Sequence, residues 1–312
     1  MMKSIATRDA FGDALVELGH EDPRIFVIDC DISKSTKTTA FAELFPERHL
    51  NVGIAEQNAA SLAAGLSLMG KIPFISTYAV FGSMRMTEQI RTSVCYSRLN
   101  VKLACSHGGL TPGSDGATHQ SIEDLGIMRS IPNMTIIMGA DYIATKKLVK
   151  EAAQMDGPVY LRFTRDPVPV YYTEDDSFVI GDGKLLHDGN DLTIITFGEM
   201  LHQGVLAADV LEKKGISVRL VDIHTLKPLD RELIIASIKK TGKVITVEDH
   251  NYLNGLGSAV AEIIAELGFG RLCRIGVQDT FCESGQYEML LAKYLMDAPY
   301  IVKMAEKMLQ SL

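Results

Sequence analysis

The residues best suited to chemistry fall into three short polar segments. The first runs Asp29-Cys30-Asp31-Ile32-Ser33-Lys34-Ser35-Thr36. The second is Ser106-His107-Gly108-Gly109, followed by Pro112-Gly113-Ser114-Asp115-Gly116-Ala117-Thr118-His119-Gln120. The third is Thr164-Arg165-Asp166-Pro167. Together they offer two imidazoles, an Arg, serine hydroxyls and carboxylates, a set suited to a polyhydroxylated, phosphorylated ligand. Taken singly, each has a plain structural explanation. A Gly-rich loop is most often a turn, Arg165 a surface ion pair, and Asp29 or Asp31 a helix cap. Their convergence favours a site.

Two further segments carry weaker signals. Glu56 opens an Ala- and Ser-rich stretch, where a first-turn carboxylate is favoured by the helix dipole. The same carboxylate, if buried, could face a heterocycle. Tyr78, Phe81 and Met84 share i, i+3, i+6 spacing, which is ordinary core spacing at a helix start. That spacing would also line a slot for a flat ring.

The elements that must position these residues alternate along the chain. Apolar runs predict strands at 24–28, 72–77, 101–106, 134–138, 158–163, 192–197, 217–223, 243–248 and 274–277. Most are continuous rather than alternating, as in strands buried on both faces. Helical spacing predicts helices at 7–18, 56–69, 84–96, 121–129, 142–154, 201–214 and 256–266. The fold class is therefore α/β, with two domains, each a mostly parallel sheet flanked by helices. In such sheets ligands bind beyond the carboxyl ends of the strands, where the three polar segments fall. A Pro- and Gly-containing acidic stretch breaks the rhythm. We place the domains at 1–172 and 190–312, with a linker at 173–189.

With 312 residues, 46% hydrophobic and 22% charged, the composition is globular. The net charge of −8 and the lack of a Lys/Arg run argue against nucleic acid. No apolar run is long enough to span a bilayer, and residues 3–9 do not read as a signal peptide. Cys30, Cys95, Cys105, Cys273 and Cys282 are odd in number and lack a CxxC spacing. That argues against a disulfide framework or zinc site and leads us to expect a cytoplasmic protein with no metal ligands of its own.

In combination the motifs resemble transketolases. The order Gly53-Ile54-Ala55-Glu56-Gln57, Thr77-Tyr78-Ala79-Val80-Phe81 and Gly113 to Gln120 is similar to that family's pyrimidine-binding domain. Leu226-Lys227-Pro228-Leu229-Asp230 and Val247-Glu248-Asp249-His250 resemble its C-terminal domain, so the resemblance covers nearly the whole chain. The family's earlier domain holds the cofactor diphosphate and a divalent metal through a Gly-Asp-Gly motif and a later Asn. Here Gly181-Asp182-Gly183 lies in the linker without that context and reads as a turn. The resemblance thus implies the C-terminal subunit of a split transketolase. Its cofactor is thiamine diphosphate, with Mg or Ca held by an N-terminal partner subunit, and the assembly is a heterotetramer of two chains of each kind.

The resemblance also implies roles. Glu56 corresponds to the glutamate on N1′ of the aminopyrimidine, which favours the tautomer that removes the thiazolium C2 proton. Such a role calls for a buried carboxyl. Tyr78 and Phe81 resemble the aromatic slot, although the family usually has Phe where Tyr78 stands. Asp31 resembles a residue that helps bind the cofactor. Asp115 and His119 match residues on the donor hydroxyls, with His119 assisting proton transfer. Arg8, Ser35, His107 and Arg165 match the clamp on the substrate phosphate. The implied activity is transfer of a two-carbon ketol unit between sugar phosphates. Three other readings share parts of the pattern: the β subunit of a 2-oxoacid dehydrogenase E1 component, a 1-deoxyxylulose-5-phosphate-synthase-like half, and a regulatory partner-binding half-protein. The His107–His119 loop and the phosphate clamp favour the transketolase reading over the first, the Ser106–Gln120 loop over the second, and the retained Glu56, His107, Asp115, His119 and Arg165 over the third. The C-terminal domain is expected to be structural.

Overall fold

The computed structural model describes residues 3–310. Its strands are β1 (Ser4–Ala6), β2 (Ile25–Asp29), β3 (His49–Asn51), β4 (Ile72–Tyr78), β5 (Lys102–Ser106), β6 (Thr135–Ile137) and β7 (Val159–Arg162). They continue with β8 (Pro167–Pro169), β9 (Gly183–His187), β10 (Leu192–Phe197), β11 (Val218–Ile223), β12 (Thr225–Lys227), β13 (Lys243–Asn251) and β14 (Arg271–Val277).

Two large sheets result. The first has the order β12-β6-β7-β5-β4-β2-β3, parallel except for β12. From β2 the chain runs to β3 on one side, then to β4 and β5 on the other, so the topological switch point lies between β2 and β4. The second sheet has the order β14-β13-β10-β11-β9, with β9 the antiparallel edge. Beside these, β1 pairs with β8 and ties the entry of the first helix to the chain leaving β7.

The central strands are buried along their length, as their unbroken apolar runs require. Phe11, Leu15 and Leu18 of the helix Thr7–Glu21 pack with Leu148 and Ala152 of the helix Tyr142–Gln154 against one face of the first sheet. Ala59, Ala60 and Ala63 of the helix Glu56–Leu68 pack against the other. Small residues there let the helix lie close to the sheet.

Several details depart from the sequence reading. The single helix expected at 84–96 is broken into Ala79–Met84, Thr87–Gln89 and a π-helical turn at Ile90–Cys95. The wider turn buries Ile90, Val94 and Cys95. A helix at Arg231–Thr241 went unforeseen, although Asp230 caps it through Leu233 N and Gly242 ends it at φ 67°. Within the expected linker, residues 183–187 form β9; Gly183 N donates to Asp230, which accounts for the Gly-Asp-Gly as a turn entering that strand. Strands β1, β3, β8 and β12, of three residues each, went unforeseen because they carry no continuous apolar run. Among the described residues no helix is long and apolar enough to cross a membrane.

Candidate active site

Strands β2, β4, β5 and β7 are neighbours, so their carboxyl ends open on one edge of the first sheet. Tyr78 ends β4, His107 follows β5, Arg165 follows β7 and Asp31 follows β2. The sheet therefore brings residues from four distant segments together.

The aromatic half of the site is built around Tyr78. Its ring lies 3.9 Å from the His107 imidazole, 5.7 Å from Phe81 and 5.7 Å from His119, centroid to centroid. Phe81 stands 5.8 Å from His119. Glu56 opens its helix 4% exposed, and its Oε1 accepts a 2.9 Å hydrogen bond from Arg85 Nη1. The Arg85 guanidinium lies 4.1 Å over the Phe81 ring. A planar, N–H-bearing group thus already lies on this aromatic face and donates to this carboxylate. A flat nitrogen heterocycle with a donor on its edge would fit the same two surfaces. Arg85 was not foreseen; its i, i+4 spacing from Phe81 is the signal that would have found it.

The cationic half is built around Arg8 and Arg165. Thr7 and Thr164 latch the two segments, with Thr7 N donating to Thr164 Oγ1 at 3.1 Å and Thr164 N to Thr7 Oγ1 at 2.7 Å. Each threonine precedes one of the arginines. Arg8 Nη1 donates to the Ser35 carbonyl at 3.0 Å, while its Nε is buried without a partner. Arg165 Nη1 donates to Pro112 O at 2.7 Å, and its Nε is 3.9 Å from Asp115. Burial, and then the facing Arg165, lower Arg8 from the ordinary guanidinium value. His107 is 1% exposed, with Nδ1 2.8 Å from Ser106 Oγ. Burial first, then Arg8, Arg165 and His119, push its imidazole down to about 3. Two guanidiniums, one with an orphaned N–H, and a neutral imidazole thus act on one another here. Groups of that kind suit an anion.

The cluster brings together Arg8, Glu56, Tyr78, Phe81, His107, Asp115, His119 and Arg165. Asp115 is exposed and His119 half-buried on the turn between them, His119 Nδ1 2.8 Å from Thr118 Oγ1. Two residues enter differently from expectation. Ser35 meets Arg8 through its carbonyl rather than its hydroxyl. Asp31 is exposed and reaches the cluster only by way of Asn51, whose Nδ2 donates to it and whose Oδ1 holds Gly53 N before Glu56. A separate groove of about 890 Å³ at the domain junction, lined by Arg129, Lys227, His250 and Asn254, includes none of the candidate residues.

His107 also adopts φ 66°, a left-handed conformation costing about 1–3 kcal/mol outside glycine. Such strain persists only where neighbours over-determine it.

An anion would raise the His107 value, so binding should take up a proton. Sulfate stays dianionic through mildly acidic pH and isolates this effect. Its affinity is expected to rise, by at most about tenfold per pH unit, as pH falls below the bound-state value, and to gain nothing further below the free-state value of about 3. Calorimetry in two buffers of different ionisation heat reads the uptake. A His107→Asn chain should show a flat profile, and a flat wild-type profile would separate His107 from the anion.

Comparison with known proteins agrees along the whole chain. Residues 3–170 match the transketolase pyrimidine-binding domain, and residues 181–301 the transketolase C-terminal domain. A protein described as a putative transketolase C-terminal section, from Methanocaldococcus jannaschii, is 46% identical over 95% of this chain and 94% of its own length. A 6-deoxy-6-sulfo-D-fructose transketolase subunit from a Clostridium species is 39% identical over 96% of this chain and 93% of its own. A solved structure described as a split gene transketolase, inactive beta4 tetramer, superposes with a TM-score of 0.90 at 48% identity. It covers 98% of this chain and 99% of that one.

Proposed function

Because the chain belongs to the transketolase family, as a transketolase-type subunit, we propose that it is the sugar-gripping half of a split transketolase. It moves a two-carbon ketol unit from a ketose phosphate to an aldose phosphate. The observation that carries this reading is the continuity of the cluster. A buried carboxylate, an aromatic slot and a cationic pocket adjoin one another at a single sheet edge.

Thiamine diphosphate, when bound, supplies the nucleophilic carbon and the electron sink. The chain's own residues do the rest. Glu56 holds a proton against the pyrimidine ring nitrogen, and Tyr78 and Phe81 hold the ring flat. Asp31 supports the cofactor at the rim. His119 has Nδ1 engaged by Thr118, which leaves Nε2 to move a proton at a substrate hydroxyl. Asp115 orients the neighbouring hydroxyls. Arg8, Arg165, His107 and Ser35 bind the terminal phosphate. An N-terminal partner subunit carries the diphosphate and its Mg or Ca, in an assembly of two chains of each kind. By itself the chain is expected to self-associate without activity, the state named for the similar split-gene structure.

A sulfonate is also a tetrahedral anion, and one relative is named for a sulfonated sugar. The ratio of KM values for phosphorylated and sulfonated ketoses in the assembled enzyme decides which terminus this clamp prefers.

The clamp is tested by Arg165→Ala. Losing a charge-assisted hydrogen bond, typically about 1.5–3 kcal/mol, should raise KM for a phosphorylated donor by roughly 10- to 100-fold. The unphosphorylated donor hydroxypyruvate should change by less than about threefold. Equal changes for both donors would remove Arg165 from the phosphate.

A further inference from the structure

The C-terminal domain, expected to be structural, reaches into the loop that carries His107. After His107 the chain passes between two buried side chains. A Cβ at Gly108 would stand 2.6 Å from Arg162 Nε, and one at Gly109, which has φ 61°, would run into the Asp249 carboxyl. Leu110 N donates to both Asp249 oxygens, at 3.0 and 2.9 Å. Asp249 lies on β13 of the second sheet, so these bonds cross between the domains.

Asp249 is itself held on several sides. Arg162 Nη2 donates to its carbonyl at 2.9 Å, and Tyr287 OH donates to Oδ2 at 3.2 Å. Arg162 is locked in turn by Asp124, with Nε to Oδ2 at 2.8 Å. The Glu199 carboxyl is also buried nearby, both of its oxygens without a donor. Burial raises both acids, Glu199 well above the carboxylate range. The Asp249 carboxyl accepts the Leu110 N–H on both of its oxygens.

We infer that Asp249 is a positioning residue of the C-terminal domain: it fixes the Gly108–Leu110 turn and thereby keeps His107 in its left-handed conformation against Tyr78 and the Arg8–Arg165 pair. The inference rests on the proposal that His107 meets the substrate's anionic end. Without the grip on Leu110 N, the turn is free to relax and the imidazole to leave its buried place.

The test uses Asp249→Ala in the chain assembled with its N-terminal partner, thiamine diphosphate and Mg²⁺. The variant should lower kcat/KM for a ketose phosphate by about 10- to 100-fold, with Asp249→Asn restoring most of it, since an amide oxygen still accepts from Leu110 N. In a His107→Ala background the same change should cost less than about threefold. Equal losses in both backgrounds overturn the inference. A second readout needs no activity. The His107 imidazole, followed by NMR in the chain alone, should stay neutral at pH 5 in the wild type and protonate measurably there in Asp249→Ala. An unmoved His107 signal also overturns it. Should Asp249→Ala fail to fold, Tyr287→Phe removes one hydroxyl from Asp249 and should shift the His107 signal in the same direction; no shift there is equally fatal. A wild type without ketol transfer, combined with a shifted His107 signal, defeats the transketolase reading and leaves the positioning role standing.

Discussion

Alone, the chain is expected to transfer no ketol unit; with an N-terminal partner, thiamine diphosphate and a divalent cation it should turn over at about 1–10³ s⁻¹, the ordinary enzymatic range. The reason is physical. The carboxylate, the aromatic cluster and the cationic cluster lie at the edge of a sheet. Ile54, two residues before Glu56, is 75% exposed, and Met84, adjoining Arg85, is 47% exposed. The site's apolar rim is therefore bare in the single chain, and water has free access to the slot. Carbanion chemistry needs a dry site, in which fixed dipoles replace water. A partner surface laid over Ile54 and Met84 would close it. Among the described residues no group of three or more His, Cys, Asp or Glu is placed to hold a metal ion. Assay of the purified chain with and without its partner decides this, and full activity of the chain alone would sink it.

Glu56→Gln is expected to cost about 10²- to 10⁴-fold in kcat while assembly with the partner persists. The amide keeps the size of the side chain, and its oxygen still accepts from Arg85 Nη1. What it loses is the ability to hold and release a proton at the cofactor's ring nitrogen. The structural cost is small by comparison. A carboxylate in a helix's first turn contributes about 0.3–1 kcal/mol, and the Arg85 partner is half exposed, which screens that pair. Turnover and gel filtration should therefore separate cleanly. A variant with near-normal rates would take Glu56 out of the proton path.

How much of this was legible in the sequence depends on the range of the interaction concerned. Strand–helix alternation predicted β2, β4, β5 and β7 within a residue or two, because a strand buried on both faces announces itself as a continuous apolar run. The three polar segments after those strands were legible for the same reason, since ligands gather at carboxyl ends. Arg8 was not legible from its own surroundings, where it reads as a surface residue on an amphipathic helix. Its place opposite Arg165 is set by the Thr7–Thr164 latch, a contact across 157 positions. Asp249 read only as part of a structural C-terminal domain, because its partner Leu110 lies 139 positions away in the other domain. Local patterns record what a residue does within its own element, and both of these residues act between elements.

One further consequence follows from β12. This three-residue strand belongs by sequence to the C-terminal half, yet it pairs antiparallel with β6, with Thr225 opposite Ile137. It seals an edge that would otherwise present unpaired amides and carbonyls, a template for another chain's strand. The two halves are thus not interchangeable cassettes. A gene cut at the domain boundary would strip β6 of its cover and invite aggregation. Grafting the N-terminal half onto a different C-terminal domain would have to carry Thr225–Lys227 along with it.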